Sequence, residues 1–247
     1  MFKILAERKR QKKRTIAFPK TEPQLPDRYQ GKPEIEQTLC NNCSKCVSSC
    51  PVEAITLNKQ NLCLDLAKCI FCLECLKACK TKAIKFTNNY QMSARTKKDL
   101  LVTNKESIPI IPLKNSLFKK SLKLRQISAG GCNACEADIN VLTTIVYDLG
   151  RFGIQFVASP RHADGILVTG PVTRNMQTAL KKTYEAIPSP KIVIAVGTCS
   201  ISGGLFREQE EASPNLDEIV PVDLYIPGCP PHPMTILHGL LKFLGKQ

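Results

Sequence analysis

From residue 122 onward, short apolar runs alternate with stretches whose apolar positions recur at helical spacing. Leu122 to Ile127 reads as a strand. Ile139, Leu142, Ile145, Val146 and Leu149 then predict a helix over 136–148, ended by Gly150 and Gly153. Further strands are expected near 154–158, at 166–169, at 191–196 and near 223–226. Further helices are expected at 174–186 and near 233–244. Strands that alternate with helices imply a parallel sheet covered on both faces. Before residue 122 the pattern is weaker. Pro19, Pro23, Pro26 and Pro33 exclude a long helix, so 1–14 reads as a short basic helix or tail and 15–36 as extended chain. Pro109 and Pro112, with Lys on both sides, read as an extended tether between two domains.

Length sharpens this picture: 247 residues make one or two domains with a real core. With 43% hydrophobic and 23% charged residues, the chain is of globular type. The longest apolar runs, such as Ile192 to Val196, fall far short of the ~18 residues of a membrane span. The first residues lack an apolar stretch of signal-peptide length. The expected location is therefore the cytosol, where thirteen cysteines do not mean disulfides but metal or cluster ligation. The net charge of +14 is unevenly spread: +7 in residues 1–32 and +7 in 95–125, against +2 in 33–94 and −2 in 126–247. Both basic segments read as solvated faces or as contacts with an acidic partner or anionic lipid. Nucleic acid is not expected as a partner, because these segments show no helix-turn-helix pattern, no zinc-finger spacing and few interleaved aromatics.

The cysteine spacing is the most specific signal. Cys40, Cys43, Cys46 and Cys50-Pro51 repeat as Cys69, Cys72, Cys75 and Cys79, offset by 29 residues. Ala54-Ile55 matches Ala83-Ile84 at the same offset, so a half-unit has been duplicated. Three thiolates spaced by two residues lie on one tight loop and hold one iron–sulfur cube, while the fourth reaches the other. This assigns Cys40, Cys43, Cys46 and Cys79 to one [4Fe–4S] cluster, and Cys69, Cys72, Cys75 and Cys50 to a second. Zinc normally pairs two knuckles over a longer gap. Cys63 belongs to neither set and reads as a small buried thiol.

This segment resembles the two-cluster bacterial ferredoxins, and most of all the ferredoxin-type subunits of respiratory complex I and the formate hydrogenlyase group. Tyr29 to Pro33 ahead of the first motif and Thr87 to Tyr90 after the second take part in the resemblance. Ser44 and Leu73 stand where that family usually has Gly, and Lys80 where it usually has Pro.

Four more cysteines fall just after expected strands: Cys132 and Cys135 after the first, Cys199 after the fourth, Cys229 after the fifth. Ligands of open α/β sheets bind beyond the carboxyl ends of the strands. The four thiols therefore face one edge and are expected to hold a third cluster. Gly130-Gly131, Gly197, Gly203-Gly204 and Gly228 supply the tight turns, and Gly170-Pro171 another wall.

Gly131-Cys132-Asn133-Ala134-Cys135-Glu136, His162 to Thr173, Gly197-Thr198-Cys199 and Pro227-Gly228-Cys229-Pro230-Pro231 resemble the small subunits of membrane-bound [NiFe] hydrogenases and the related 20 kDa subunit of complex I. Cysteines two residues apart at 132 and 135, and His232-Pro233 after the last ligand, point to the hydrogenase branch. The fold implied is α/β, a flavodoxin-like parallel sheet with helices on both faces, preceded by a small α+β two-cluster ferredoxin domain. The expected divisions are a basic arm at 1–32, the ferredoxin domain at 33–94, a basic linker at 95–121 and the small-subunit domain at 122–247.

The resemblance implies an electron-transfer subunit with three [4Fe–4S] clusters and no nickel of its own. It implies a [NiFe] large subunit as partner, membrane subunits of a complex I-like arm, and a formate dehydrogenase or ferredoxin as donor. The complex would lie on the inner face of the cytoplasmic membrane. The equivalent subunit of a complex I-like quinone reductase, and a redox sensor without a large-subunit partner, are the alternatives. Glu136 is a candidate proton relay, or else an acid favoured by a helix N-terminus. His232 is expected either at a cluster sulfur or interface, or beside a surface turn. His162 and Asp164 read as loop caps. Arg161 and Arg174 face either the cluster or a partner. Residues 207–218 read as an exposed loop and a candidate docking surface.

Overall fold

The computed structural model describes residues 2–58, 61–104, 108–110, 112–113, 117–213 and 215–246. The chain opens with the basic helix α1 (Phe2–Gln11), which has no buried residue. The cysteine-rich module follows: β1 (Pro33–Ile35), α2 (Lys45–Ser48), β2 (Ile55–Asn58), β3 (Asn61–Asp65), α3 (Glu74–Ala78), β4 (Ile84–Phe86) and β5 (Leu101–Val102). β1 pairs antiparallel with β4, while β2, β3 and β5 form an antiparallel sheet. The duplication is written in the backbone. Asn42 and Phe71, Ser44 and Leu73, and Glu53 and Lys82 are each 29 residues apart, and all six have positive φ between 48 and 65°. These are the sharp turns by which a short loop aims three thiols at one point.

The segment read as a tether is therefore built into the fold in part. β5 closes the sheet through Leu64↔Val102, and Leu113 N–H donates to the Phe243 carbonyl at 2.7 Å. A short helix α4 (Leu117–Lys120) buries Phe118 before the next strand. Residues 105–107, 111 and 114–116 of the expected tether lie outside the described residues.

The remainder is β6 (Leu122–Ser128), α5 (Ala134–Val141), β7 (Ile154–Phe156), β8 (Gly165–Thr169), α6 (Arg174–Glu185), β9 (Ile192–Val196), α7 (Thr198–Ser202), β10 (Leu224–Ile226) and α8 (Pro233–Phe243). The five strands pair in the order β7-β6-β8-β9-β10, all parallel. This is the flavodoxin-like order, with its switch point beside β6. Ile192, Ile194 and Val196 pack into one core and Val193 and Ala195 into the other. Burial on both faces explains why the strands read as continuous apolar runs.

The helix expected over 136–148 is shorter. After Val141 the N–H groups of Leu142, Thr143 and Thr144 bond three residues back, and the hydroxyls of Thr143 and Thr144 take the carbonyls of Asn140 and Val141. Hydroxyls that compete for backbone carbonyls, followed by β-branched Ile145 and Val146, end the helix early.

The two modules share one core. Residues of the cysteine-rich module, such as Leu64, Leu66 and Ile84, belong to the same buried cluster as Ile127, Val168 and Val193. Ala94 and Tyr225 exchange backbone bonds of 3.0 and 2.8 Å, which adds a bridge to the β10 edge. The opposite face of the sheet is covered by α8, α5 and the N-terminal arm. There Phe18 is 4% exposed and packs edge-on against Tyr90, while Arg151 donates to the Phe18 carbonyl.

Candidate functional site

The structure brings Cys40, Cys43, Cys46 and Cys79 to the wall of one enclosed cavity, together with Leu57 and Leu62. The Ala83 N–H donates to Cys79 Sγ at 3.3 Å and the Thr81 hydroxyl lies 3.6 Å from it. Burial raises the Cys79 pKa, but the Thr81 hydroxyl and the backbone N–H groups outweigh it and hold the thiol below its usual value.

The second set is Cys69, Cys72, Cys75 and Cys50. Burial pushes Cys69 up to about 12, against a backbone bond from Phe71, and the nearby Cys75, Cys50 and Cys72 add to the rise. Burial, then Cys50 and Cys72, push Cys75 up to about 12 as well. Cys75 also feels Cys46 of the first set, so the two groups are close neighbours. Ala54 N–H donates to Cys50 Sγ at 3.2 Å, matching the Ala83 bond 29 residues later, and Phe71 N–H donates to Cys69 Sγ at 3.4 Å.

The third set stands beyond the carboxyl edge of the sheet. Cys132 and Cys135 follow β6, Cys199 lies in α7 just past β9, and Cys229 follows β10. Burial raises Cys135, with further rises from Cys199, Glu136, Cys229 and Cys132. Cys199 is pushed up to about 11 by burial and then by Cys229 and Cys132. Two glycines make room. A Cβ on Gly197, where φ is 89°, would lie 2.6 Å from Cys135 Sγ, and one on Gly204 would lie 2.9 Å from Cys199 Sγ.

This donor set fits iron–sulfur cubes. The sulfurs are soft, they receive backbone N–H bonds, and glycines keep side chains away from them. Thiols crowded and buried enough to resist ionisation need bound cations to hold them as thiolates. Among the described residues no three His, Cys, Asp or Glu side chains converge on a single ion. Each set presents at least one exposed cysteine: Cys43, Cys72, and Cys132 with Cys229.

Glu136 is 5% exposed. Its Oε1 accepts from the Ser128 and Thr169 hydroxyls, both at 2.6 Å. Burial raises its pKa, and these two hydroxyls outweigh burial and keep it below the usual carboxylate value. His232 caps α8: its Nδ1 accepts from Met234 N–H at 3.1 Å, and its ring lies 5.0 Å from that of Tyr29. The Asp164 carboxylate accepts from Lys123 N–H at 2.6 Å, at the start of the sheet. Arg174 pairs at the surface with Glu211. Cys63 is only half-buried, opposite Thr56 in the hairpin, so its neighbourhood is less apolar than expected. Residues 208–211, 217 and 218 are exposed, as expected of this loop, and two of its side chains tie it to the rest of the chain. Arg207 donates to the Val52 carbonyl and pairs with Glu53, each at 2.7 Å, and Asp217 pairs with Lys97.

Sequence reasoning missed the junction between the second and third sets. Thr198, next to Cys199, donates its hydroxyl to the Cys69 carbonyl at 2.8 Å, and Ser202 donates to the Ala67 carbonyl at 2.7 Å. The run Thr198-Cys199-Ser200-Ile201-Ser202, rich in hydroxyls on a short helix, was the available signal.

A flavodoxin-like sheet with a cysteine set beyond its edge, joined to a duplicated cysteine module, defines a class of iron–sulfur oxidoreductase subunit. Residues 132–243 match the family described as NADH ubiquinone oxidoreductase, 20 Kd subunit, and residues 39–83 match the 4Fe-4S dicluster domain. The chain is 48% identical over 120 residues to a probable membrane-bound hydrogenase subunit mbhJ of Pyrococcus furiosus, covering 49% of this chain and 72% of that one. It is 45% identical over 139 residues to formate hydrogenlyase subunit 7 of Escherichia coli, covering 55% of this chain and 54% of that one. It is 46% identical over 116 residues to an NADH-quinone oxidoreductase subunit of Citrifermentans bemidjiense, covering 47% of this chain and 68% of that one. The chain belongs to the NADH ubiquinone oxidoreductase 20 Kd subunit family, with a 4Fe-4S dicluster domain ahead of it in the same polypeptide.

Proposed function

We propose that this oxidoreductase subunit carries three [4Fe–4S] clusters in series and serves a membrane-associated [NiFe] hydrogenase of the formate hydrogenlyase kind. The ligands would be Cys132, Cys135, Cys199 and Cys229; then Cys69, Cys72, Cys75 and Cys50; then Cys40, Cys43, Cys46 and Cys79. The observation that carries the reading is the Thr198 hydroxyl on the Cys69 carbonyl, because it sets the third group of cysteines directly against the second. The Cys75–Cys46 proximity continues the series to the first. When bound, the clusters supply one-electron steps with little movement of atoms.

The chain's own residues do the rest. Backbone N–H groups at Ala54, Phe71 and Ala83 donate to the sulfurs of Cys50, Cys69 and Cys79 and fix their orientation. The shared core keeps water from the junction. Glu136, one residue from Cys135 and held by Ser128 and Thr169, is the residue assigned to proton handling beside the large subunit. That partner would cover the exposed edge at Cys132 and Cys229, with membrane subunits beyond it and a formate dehydrogenase or ferredoxin at the other end. The assembly would lie on the inner face of the cytoplasmic membrane. Among the described residues no helix is long and apolar enough to cross one.

The cysteine spacing at 132 and 135 and the His232-Pro233 pair favour the hydrogenase branch. The 46% identity to an NADH-quinone oxidoreductase subunit supports a second reading, the equivalent subunit of a complex I-like quinone reductase. Anaerobic purification from the native cell, with iron, sulfide, nickel and zinc assayed on the complex, tests both. About twelve irons and twelve sulfides per chain, with nickel in a co-purifying subunit, is the expected result. The same iron without nickel moves the assignment to the second reading. Zinc in place of iron overturns both.

A further inference from the structure

The basic arm is anchored, and its charges are gathered. The Thr15 hydroxyl donates to the Ile145 carbonyl at 2.7 Å, Ile16 N–H donates to the Val146 carbonyl at 2.9 Å, and Phe18 is buried. Arg151 reaches the same segment through its 3.1 Å bond to the Phe18 carbonyl. The chain turns sharply out of α1 at Lys12, where φ is 52°. These ties place Lys12, Lys13, Arg14, Lys20 and Arg151 on the wall of one cleft of about 650 Å³, beside Phe152. No acidic residue lines it, and among the described residues none of the five cations has an ion-pair partner. The arm's carboxylates on either side are engaged. Glu7 accepts from Arg10 and Gln11, each at 2.6 Å, and Glu22 accepts from the Tyr90 hydroxyl at 2.8 Å. Lys12 and Lys13 also line, with Leu5, Arg8 and Lys9, a groove along α1. There Phe2 is 85% and Leu5 56% exposed, and the helix buries no residue. An apolar helix end with nothing packed on it thus adjoins a cleft of unpaired cations.

We propose that this cleft binds the phosphate headgroup of an anionic phospholipid and that α1 lies along the surface of the same bilayer. The proposal rests on the membrane-associated reading above and gives this chain a lipid contact of its own, separate from any membrane subunit. Phosphate oxygens suit the cleft, because they accept from an Arg fork and from Lys point charges together. A soluble phosphate would satisfy the cations and leave Phe2 and Leu5 in water. A lipid satisfies both, with its headgroup in the cleft and its acyl chains against the helix. Binding of a short helix to a bilayer grows with its apolar area and with its attraction to anionic lipid, and both are present here.

The test is flotation of the anaerobically purified full chain with vesicles of two compositions: equal parts phosphatidylglycerol and phosphatidylcholine, and phosphatidylcholine alone. Wild type is expected to bind the anionic vesicles and not the neutral ones. K12E/K13E/K20E is expected to bind about tenfold or more weakly, with the difference closing at high salt. K12R/K13R/K20R is expected to retain binding. K181E/K182E, two exposed charges on α6, is expected to change it by less than about twofold, which separates the cleft from net charge. F2S/L5S is expected to weaken it about threefold or more. Circular dichroism checks that each variant is folded. Equal affinity of wild type and K12E/K13E/K20E for the anionic vesicles overturns the proposal, and so does the absence of any loss in F2S/L5S. Lysine-dependent binding of inorganic phosphate as tight as that of the vesicles also overturns it, and marks a soluble anion as the ligand. Fractionation of the native cell separates this proposal from the reading it rests on. A complex absent from the membrane fraction defeats the membrane-associated reading, whereas a complex found there whose chain ignores anionic vesicles defeats only the lipid site.

Discussion

Ser44 and Leu73 occupy left-handed backbone, at φ 57 and 64°, in the two loops that carry the cysteines. An L-residue pays about 1–2 kcal/mol there, which glycine avoids. Ser44→Gly, at an exposed site, is expected to raise stability by roughly 1 kcal/mol, less the entropy glycine costs. Guanidinium unfolding of the anaerobic protein checks it, with iron content unchanged. The departure of these positions from glycine was legible in the sequence; the conformation that makes glycine useful was not. His238 was not legible at all. It is 2% exposed, neither ring nitrogen has a hydrogen-bond partner among the described residues, and its ring meets that of Tyr90 at 5.5 Å. Burial, with a smaller push from Lys242, lowers its pKa to about 4. Between about 6.5 and that value the unfolded chain binds a proton that the folded chain refuses. This contribution to stability is therefore complete above about pH 6.5 and is lost as pH falls, by up to about 1.4 kcal/mol per unit. His238→Phe keeps the ring contact and is expected to flatten the acid limb of the stability curve between pH 6.5 and 5. An unchanged limb would mean that other groups set it.

At the scale of elements, the strands were legible because burial on both faces leaves unbroken apolar runs, as in Ile192 to Val196. The end of α5 was not, because Ile145 and Val146 continue the helical spacing while the local hydroxyls break the helix. Nor was the role of α7, a helix of five residues whose hydroxyls reach a loop 129 positions away in the chain. Spacing within a segment carries no information about such a partner. Thr198→Val keeps the shape and removes the donor shared by the Cys69 and Gly228 carbonyls. A loss of about 1–3 kcal/mol is expected, since a buried acceptor is left unpaired. Gly197→Ala acts on the neighbouring turn, where both the φ of 89° and the 2.6 Å approach to Cys135 Sγ forbid a side chain. On the three-cluster assignment proposed above, that variant should lose about four irons relative to wild type, and an unchanged iron content would refute the third cluster's placement.

For the whole molecule, the sequence divides the chain by charge and proline, whereas the structure joins its parts through buried contacts. Residues 15–36 read as extended chain with no sign of burial, yet Phe18 among them is a core residue. Phe18→Ala is expected to cost about 3 kcal/mol, and deletion of residues 2–11, which bury nothing, under about 0.5 kcal/mol; chemical denaturation separates the two. The stretch of residues 207–218, largely exposed, is likewise tied to the chain's own cysteine-rich module through Arg207 and Asp217. The junction of Thr198 with Cys69 has a further consequence. Two pieces tied into one polypeptide meet at an effective concentration in the millimolar range when the tie is short and well matched. A contact of a few hydrogen bonds then stays closed at any dilution of the protein. Both pieces are also made in a one-to-one ratio, so translation releases no orphaned half whose exposed sulfur edge would meet oxygen first.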